Sequence, residues 1–116
     1  MSREYILKFN ESNIDSLYSF NALKKGYKWV ETRAATPKYR EVQIGEILVF
    51  ICGKERLEKT VRNTSIFKDI KSLLTTYKIT DIMPNKTRAE ELEDAYYSYP
   101  GYKEKIEEFG LVAFEI

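Results

Sequence analysis

Ile47-Leu48-Val49-Phe50-Ile51-Cys52 is apolar at every position and bounded by turn residues, Gly45-Glu46 before it and Gly53-Lys54 after it. A run with no polar face reads as a strand covered on both sides, either central in a sheet or part of a closed barrel. Working outward toward the C-terminus, Gly53-Lys54 turns into a second strand over about 56–63. There Leu57, Lys59, Val61 and Asn63 alternate with Glu58, Thr60 and Arg62. Ser65 then reads as the cap of a helix carrying Ile66, Ile70, Leu73 and Leu74. After 79–84, Thr87-Arg88-Ala89-Glu90 has the form of a capping box. It opens a helix whose stripe is Leu92, Ala95, Tyr96 and Tyr99, broken by Pro100-Gly101. A short helix over 102–109 ends at Gly110, and Leu111–Ile116 is a closing strand.

Toward the N-terminus, Thr36–Arg40 reads as a loop, because Pro37 has no N–H to donate to a sheet. Residues 28–35 form a strand. Before it lies a helix capped by Ser12, with Ile14, Leu17, Tyr18 and Ala22 at helical spacing. Lys24 and Lys25 suit its negative end and Gly26 stops it. Tyr5–Phe9 is the first strand. Several strands therefore follow one another with no intervening helix, which disfavours a doubly wound parallel fold. The expected class is α+β: a curled mixed or antiparallel sheet with helices packed outside, as one domain over 1–116.

Composition limits the chemistry. With 43% hydrophobic residues, nine Tyr and six Phe, the chain can build a core, unlike a disordered segment. A formal net charge of +1 leaves no overall footprint for nucleic acid. Charge is nevertheless uneven. Lys24–Arg40 holds six basic residues and one acid, Glu31, whereas Arg88–Glu108 holds seven acids and three bases. That pattern makes either one positive and one negative face, or two solvated surfaces that differ. The single Cys52 forms no intramolecular disulfide and reads as a buried, inert thiol. The absence of histidine excludes Ser-His-Asp and Cys-His relays and the common His-containing zinc sites. The acids follow helix-surface patterns, so neither metal nor cofactor is expected. With no signal-peptide pattern at the start and no stretch of membrane-spanning length, a cytoplasmic location is expected.

Candidate function concentrates in Gly26-Tyr27-Lys28-Trp29-Val30-Glu31-Thr32-Arg33, just after the first helix stops. Strand alternation puts Trp29, Glu31 and Arg33 on one face, with Lys28 at the entrance and Thr32 facing the other way. A carboxylate between two cations, beside an aromatic plane, can bind or act on a polar planar ligand such as a nucleobase. The pattern G-x-K-x-x-E-x-R resembles the signature of the ASCH family, small domains of the PUA-like superfold. Ile44-Gly45-Glu46 and Gly110-Leu111-Val112-Ala113 are similar to that family's second turn and closing strand, and the order of elements fits over about 5–116.

The resemblance implies a PUA-like pseudo-barrel and RNA-related roles: RNA binding, transcription coactivation and, in some members, hydrolysis of acylated nucleosides or RNA cleavage. It carries Lys28, Glu31 and Arg33 over as cleft residues. The acyl-nucleoside hydrolases have Thr where this chain has Glu31, a departure that weakens an amide-hydrolase assignment. Three functions stay open: an RNA-, nucleotide- or nucleoside-binding module, a small hydrolase using Lys28 and Glu31 as its proton-handling pair, and a protein-interaction domain using the acidic C-terminal half. No membrane partner is expected, and the oligomeric state is open.

Each residue also has a plainer reading. Lys28 is a phosphate contact, a base of lowered pKa, or an ordinary lysine after a helix stop. Glu31 reads a base edge, moves a proton, or only organises the barrel mouth through its cations. Arg33 reads first as a support for Glu31 or a loop carbonyl, and second as a ligand contact. Trp29 reads first as packed core and second as a stacking residue. Tyr96, Tyr97, Tyr99 and Tyr102 could line a base-binding platform; Tyr96 and Tyr99, on the helix stripe, read first as core, and Tyr97, off it, is the freer residue. Lys38 and Arg40, either side of Tyr39, form a phosphate-contacting patch or a solvated loop.

Overall fold

The computed structural model describes residues 3–116. Its elements run β1 (Glu4–Phe9), α1 (Ile14–Lys25), β2 (Val30–Ala34), α2 (Pro37–Arg40), β3 (Ile47–Cys52) and β4 (Glu55–Thr60). They continue with β5 (Asn63–Phe67), α3 (Ile70–Leu73), α4 (Ile79–Ile82), α5 (Ala89–Tyr97), α6 (Tyr102–Phe109) and β6 (Leu111–Glu115). The fold is α+β, with two three-stranded sheets. The wholly apolar run is the central strand of the first, β3, parallel to β1 and antiparallel to β4. In the second, β6 lies between β2 and β5 and is antiparallel to both. Among the described residues no ladder joins the two sheets into a closed barrel.

The second sheet is the middle layer. Along β6, Val112 and Phe114 point into a core shared with β1, β3 and α1, including Leu7, Phe50, Phe20 and Leu23. Leu111 and Ala113 point the other way, into a core built with the C-terminal helices through Leu73, Ile82, Leu92 and Ile106. Both faces of β6 are buried, which is why its sequence carries no polar alternation. Burial of these apolar side chains on each face is the main drive holding the three layers together.

Several local expectations are corrected. Helix α1 buries Ser16, Ser19, Phe20, Ala22 and Leu23, while Ile14, Leu17 and Tyr18 face solvent. Phe20 and Leu23 fill more of the core than the stripe through Ile14 would, and the helix turns accordingly. Its cap is Asn13, whose Oδ1 accepts from Ser16 N at 3.0 Å, rather than Ser12. Gly26 ends it in the left-handed region, as expected. Residues 63–67, expected to lead into a helix from Ser65, are instead strand β5, laid against β6. The β-branched Thr64 and Ile66 suit that pairing. The following helix starts later, where Asp69 Oδ1 accepts from Ser72 N at 2.8 Å.

Pro37 does not sit in a loop but opens a short helix, at the position where a missing N–H costs nothing. A further short helix, α4, forms over part of 79–84. The capping box of α5 is shifted by one residue. Glu91, not Glu90, reaches back, with Thr87 N and Arg88 N donating to its Oε1. Among the described residues no helix is long and apolar enough to cross a membrane.

Gly110 joins α6 to β6 at φ +78, and a Cβ there would collide with the Phe67 carbonyl of the neighbouring strand. Gly110→Ala therefore combines backbone strain with a steric clash against main chain. We expect a loss of about 2 kcal/mol or more, read as a lowered denaturation midpoint with an unchanged denaturant slope.

Candidate ligand-binding cleft

The site is built on an edge. β2 pairs only with β6, and Ile116 N donating to Trp29 O and Ala35 N donating to Gly110 O place its odd-numbered main-chain groups toward that partner. The even-numbered groups therefore face away from the sheet, where an unpaired edge would be exposed to water. Side chains of the signature segment meet them instead. Lys28 Nζ donates to Val30 O at 2.8 Å, Thr32 N donates to Glu31 Oε1 at 3.1 Å, and Ala34 N donates to Tyr102 OH at 2.8 Å.

A cavity of about 210 Å³ wraps this free edge. Glu31 and Arg33 enter it from the face shared with the first sheet, and Thr32 from the face that packs on the helices. An edge strand can present both of its faces to one cavity, so alternation did not remove Thr32 from the site. Lys8, Phe9 and Asn10, at the end of β1, an edge strand of the first sheet, also line it. Ser16 and Ser19 of α1 and Met83 after α4 close two sides. Tyr96, Tyr99 and Tyr102 supply an aromatic wall, in which Tyr102 stacks on Tyr96 and meets Tyr99 edge-on.

The charged network is almost dry. The side chains of Lys28 and Glu31 are 2% and 6% exposed, and that of Arg33 is 19% exposed. Glu31 Oε1 lies 3.2 Å from Lys28 Nζ, and its Oε2 accepts from Arg33 Nη2 at 3.2 Å. Lys28 also donates to the Ile82 carbonyl. With Val30 O and Glu31 it thus has three acceptors for the three N–H donors of an ammonium. Burial drags the Lys28 pKa down, and Glu31 only partly restores it. A neutral amine would leave one of those acceptors without a donor, so the geometry holds the charged form.

Burial also pushes the Glu31 carboxyl up, but the two cations and their hydrogen bonds outweigh it and leave its pKa below the ordinary value. Arg33 is destabilised as a cation by burial and more than compensated by Glu31, so its pKa ends raised. Its guanidinium also lies 5.1 Å from the centre of the Phe9 ring. Tyr96, hydrogen-bonded to Thr32 Oγ1, is held as a neutral phenol because burial raises its pKa.

These shifts set a pH dependence. The unfolded Glu31 titrates near about 4.3, and its folded value lies lower. Its contribution is therefore complete above that range and is lost as pH falls through the folded value. The stability gap between the wild type and Glu31→Gln should be widest at neutral pH and narrow below about pH 4. Urea denaturation of both proteins across pH 2–7 checks this. A gap that does not change over that range contradicts it.

The expected site residues divide. Lys28, Glu31 and Arg33 meet in one place. Lys38, Arg40 and Tyr97 do not line the cavity. Arg40 donates to two carbonyls, Ala35 O at 2.7 Å and Phe109 O at 2.6 Å, which ties α2 to the end of α6. Lys38 is exposed beside the Tyr39 ring, and Tyr97 is half-buried under Lys103. Trp29, expected in the core, is 40% exposed, hydrogen-bonded to Asp81 and set edge-on to Tyr77, outside the cavity.

Lys8, Phe9, Asn10, Ser16, Ser19 and Met83 line the cavity and are not among the expected site residues. For the serines a signal existed: they lie three residues apart on the helix face that also carries Phe20 and Leu23. Among the described residues no cluster of His, Cys, Asp or Glu is arranged to hold a metal.

No protein-family model and no curated protein matches the chain. Two solved structures share its fold. The crystal structure of hypothetical protein PH0355 is 25% identical, with a TM-score of 0.79 over 97% of this chain and 96% of that one. The solution structure of protein PF0455 from Pyrococcus furiosus is 22% identical, with a TM-score of 0.68 over 97% of this chain and 94% of that one. The α+β arrangement of two three-stranded sheets with packed helices is thus one that a crystal structure has recorded over nearly the whole chain.

Proposed function

We propose that the cleft on the free edge of β2 binds a nucleobase, free as a nucleoside or nucleotide or carried by RNA, and that the protein is an ASCH-like domain of PUA-like architecture. One observation carries the reading: a buried, ionised carboxylate is fixed between two cations on the wall of a cavity sized for a small ring and lined by tyrosines. An ion pair taken out of water is a poor way to gain stability. Placed beside a cavity, it supplies an oriented acceptor and donor in a low-dielectric setting where they discriminate among ligands. The tyrosines that line the cavity suit stacking, which is sequence-tolerant and contributes about 1–3 kcal/mol per base.

Binding fits the geometry better than hydrolysis by Lys28 and Glu31. The Lys28 ammonium has its donors occupied, and Glu31 is held ionised by two cations, so neither is poised to exchange a proton. The Thr32 hydroxyl reaches the cavity, but its partner Tyr96 is a neutral phenol and a weak base.

Calorimetry with the four common nucleosides and a short RNA, alongside a turnover assay on acylated nucleosides, tests the proposal. We expect saturable binding of at least one nucleoside, weakened about tenfold or more by Arg33→Met, and no turnover. Absence of binding by every ligand contradicts it. Turnover that is lost in Lys28→Met or Glu31→Gln would replace it with the hydrolase reading.

A further inference from the structure

Asn10, Ser16, Ser19 and Tyr99 line the cavity with side chains that both donate and accept, whereas its charged groups and the free strand edge are unequal in kind. Glu31 Oε1 already accepts from Lys28 and from Thr32 N, and Oε2 accepts from Arg33. A carboxylate oxygen takes two donors, so Oε2 keeps one acceptor position. The Thr32 carbonyl, directed to the free edge of β2, is a second acceptor without a protein donor among the described residues. Donors are more plentiful. Arg33 uses one N–H on Glu31, and the rest of its fork is not engaged by protein acceptors among the described residues. Tyr102 OH accepts from Ala34 N, which leaves its own hydrogen free. Thr32 and Tyr96 share one hydrogen bond between two hydroxyls, which leaves one O–H over. Charge points the same way, since Lys8, Lys28 and Arg33 line the cavity against Glu31 alone.

A site whose charged groups and strand edge offer more donors than acceptors is best matched by a ligand with the opposite inventory. Resting on the nucleobase reading above, we infer that the cleft selects a uracil-type imide edge, two carbonyls flanking one ring N–H, over the amino-bearing bases. The N–H donates to Glu31 Oε2, one carbonyl accepts from Arg33, and the other accepts from the hydroxyls along the aromatic wall. Cytosine brings two amino hydrogens and keeps one carbonyl, and adenine brings two and has none. Either would occupy both of those acceptors and leave buried donors, the Arg33 fork above all, unpaired. Sites built around polar partners reject such mismatches strongly.

Titration of the wild-type protein with uridine, N3-methyluridine, cytidine and adenosine, followed by NMR, tests this without any variant. Uridine should bind at least about tenfold more tightly than cytidine or adenosine, and N3-methylation should cost a similar factor by removing the single donor. In Glu31→Gln, whose amide can present an N–H in place of the acceptor, the preference for uridine over cytidine should disappear. Cytidine or adenosine bound as tightly as uridine, or N3-methyluridine bound equally well, overturns the inference and leaves nucleobase binding standing. Failure of every nucleoside to bind overturns both.

Discussion

Removing residues 111–116 is expected to abolish cooperative folding altogether. β6 is the central strand of its sheet, so its loss leaves β2 and β5 with no partner at all. Leu111, Val112, Ala113 and Phe114 are each at most 1% exposed and serve two cores on opposite faces. Deleting one large buried side chain costs about 2–5 kcal/mol. The loss of two, plus both ladders, exceeds the whole stability of a typical domain, about 5–15 kcal/mol. The truncated chain should show no cooperative thermal transition and should exchange its amide protons freely. A cooperative transition near the wild-type temperature would contradict the assigned topology.

The second large effect concerns Glu31. Glu31→Ala leaves Lys28 and Arg33 without their counter-charge and removes the acceptor for Thr32 N on the free edge. Breaking a buried pair from one side costs about 3–5 kcal/mol, on the order of 10–20 °C in melting temperature for a chain of this size. Neutralising both partners is milder. The double variant Lys28→Met with Glu31→Gln should recover at least about half of that loss, because no buried charge is left uncompensated except the partly exposed Arg33. Differential scanning calorimetry of the two proteins measures this. Equal melting temperatures would mean that the network is not a coupled unit. The stabilised double variant should still bind nucleosides poorly, which separates the role of Glu31 in folding from its role in the cleft.

Much of this was legible in the residues. The wholly apolar Ile47–Cys52 is the central strand it reads as, and Gly26 stops α1 where expected. Lys28, Glu31 and Arg33 converge as their spacing suggested. The failures have physical causes. α1 offered two apolar stripes, and tertiary packing chose the one with Phe20 and Leu23, bringing two serines to the cavity. Residues 63–67 carry no strong pattern of their own, and the neighbouring β6 made them a strand. Thr32 was set aside because strand alternation turns it away, an argument that holds inside a sheet and fails at an edge. Of the four tyrosines that could form a stacking platform, Tyr96, Tyr99 and Tyr102 line the cavity, whereas Tyr97, which leaves the helix stripe, does not.

Uridine is expected to seat against the free edge of β2. A ¹H–¹⁵N correlation spectrum recorded during titration with uridine reads that placement residue by residue. The amides of Thr32, Arg33 and Ala34 on β2 should shift most and saturate together, joined by those of Phe9 and Tyr102 around the same cavity. Shifts confined to Lys38, Arg40 and Tyr97, with the β2 amides unmoved, would place binding elsewhere and contradict the account.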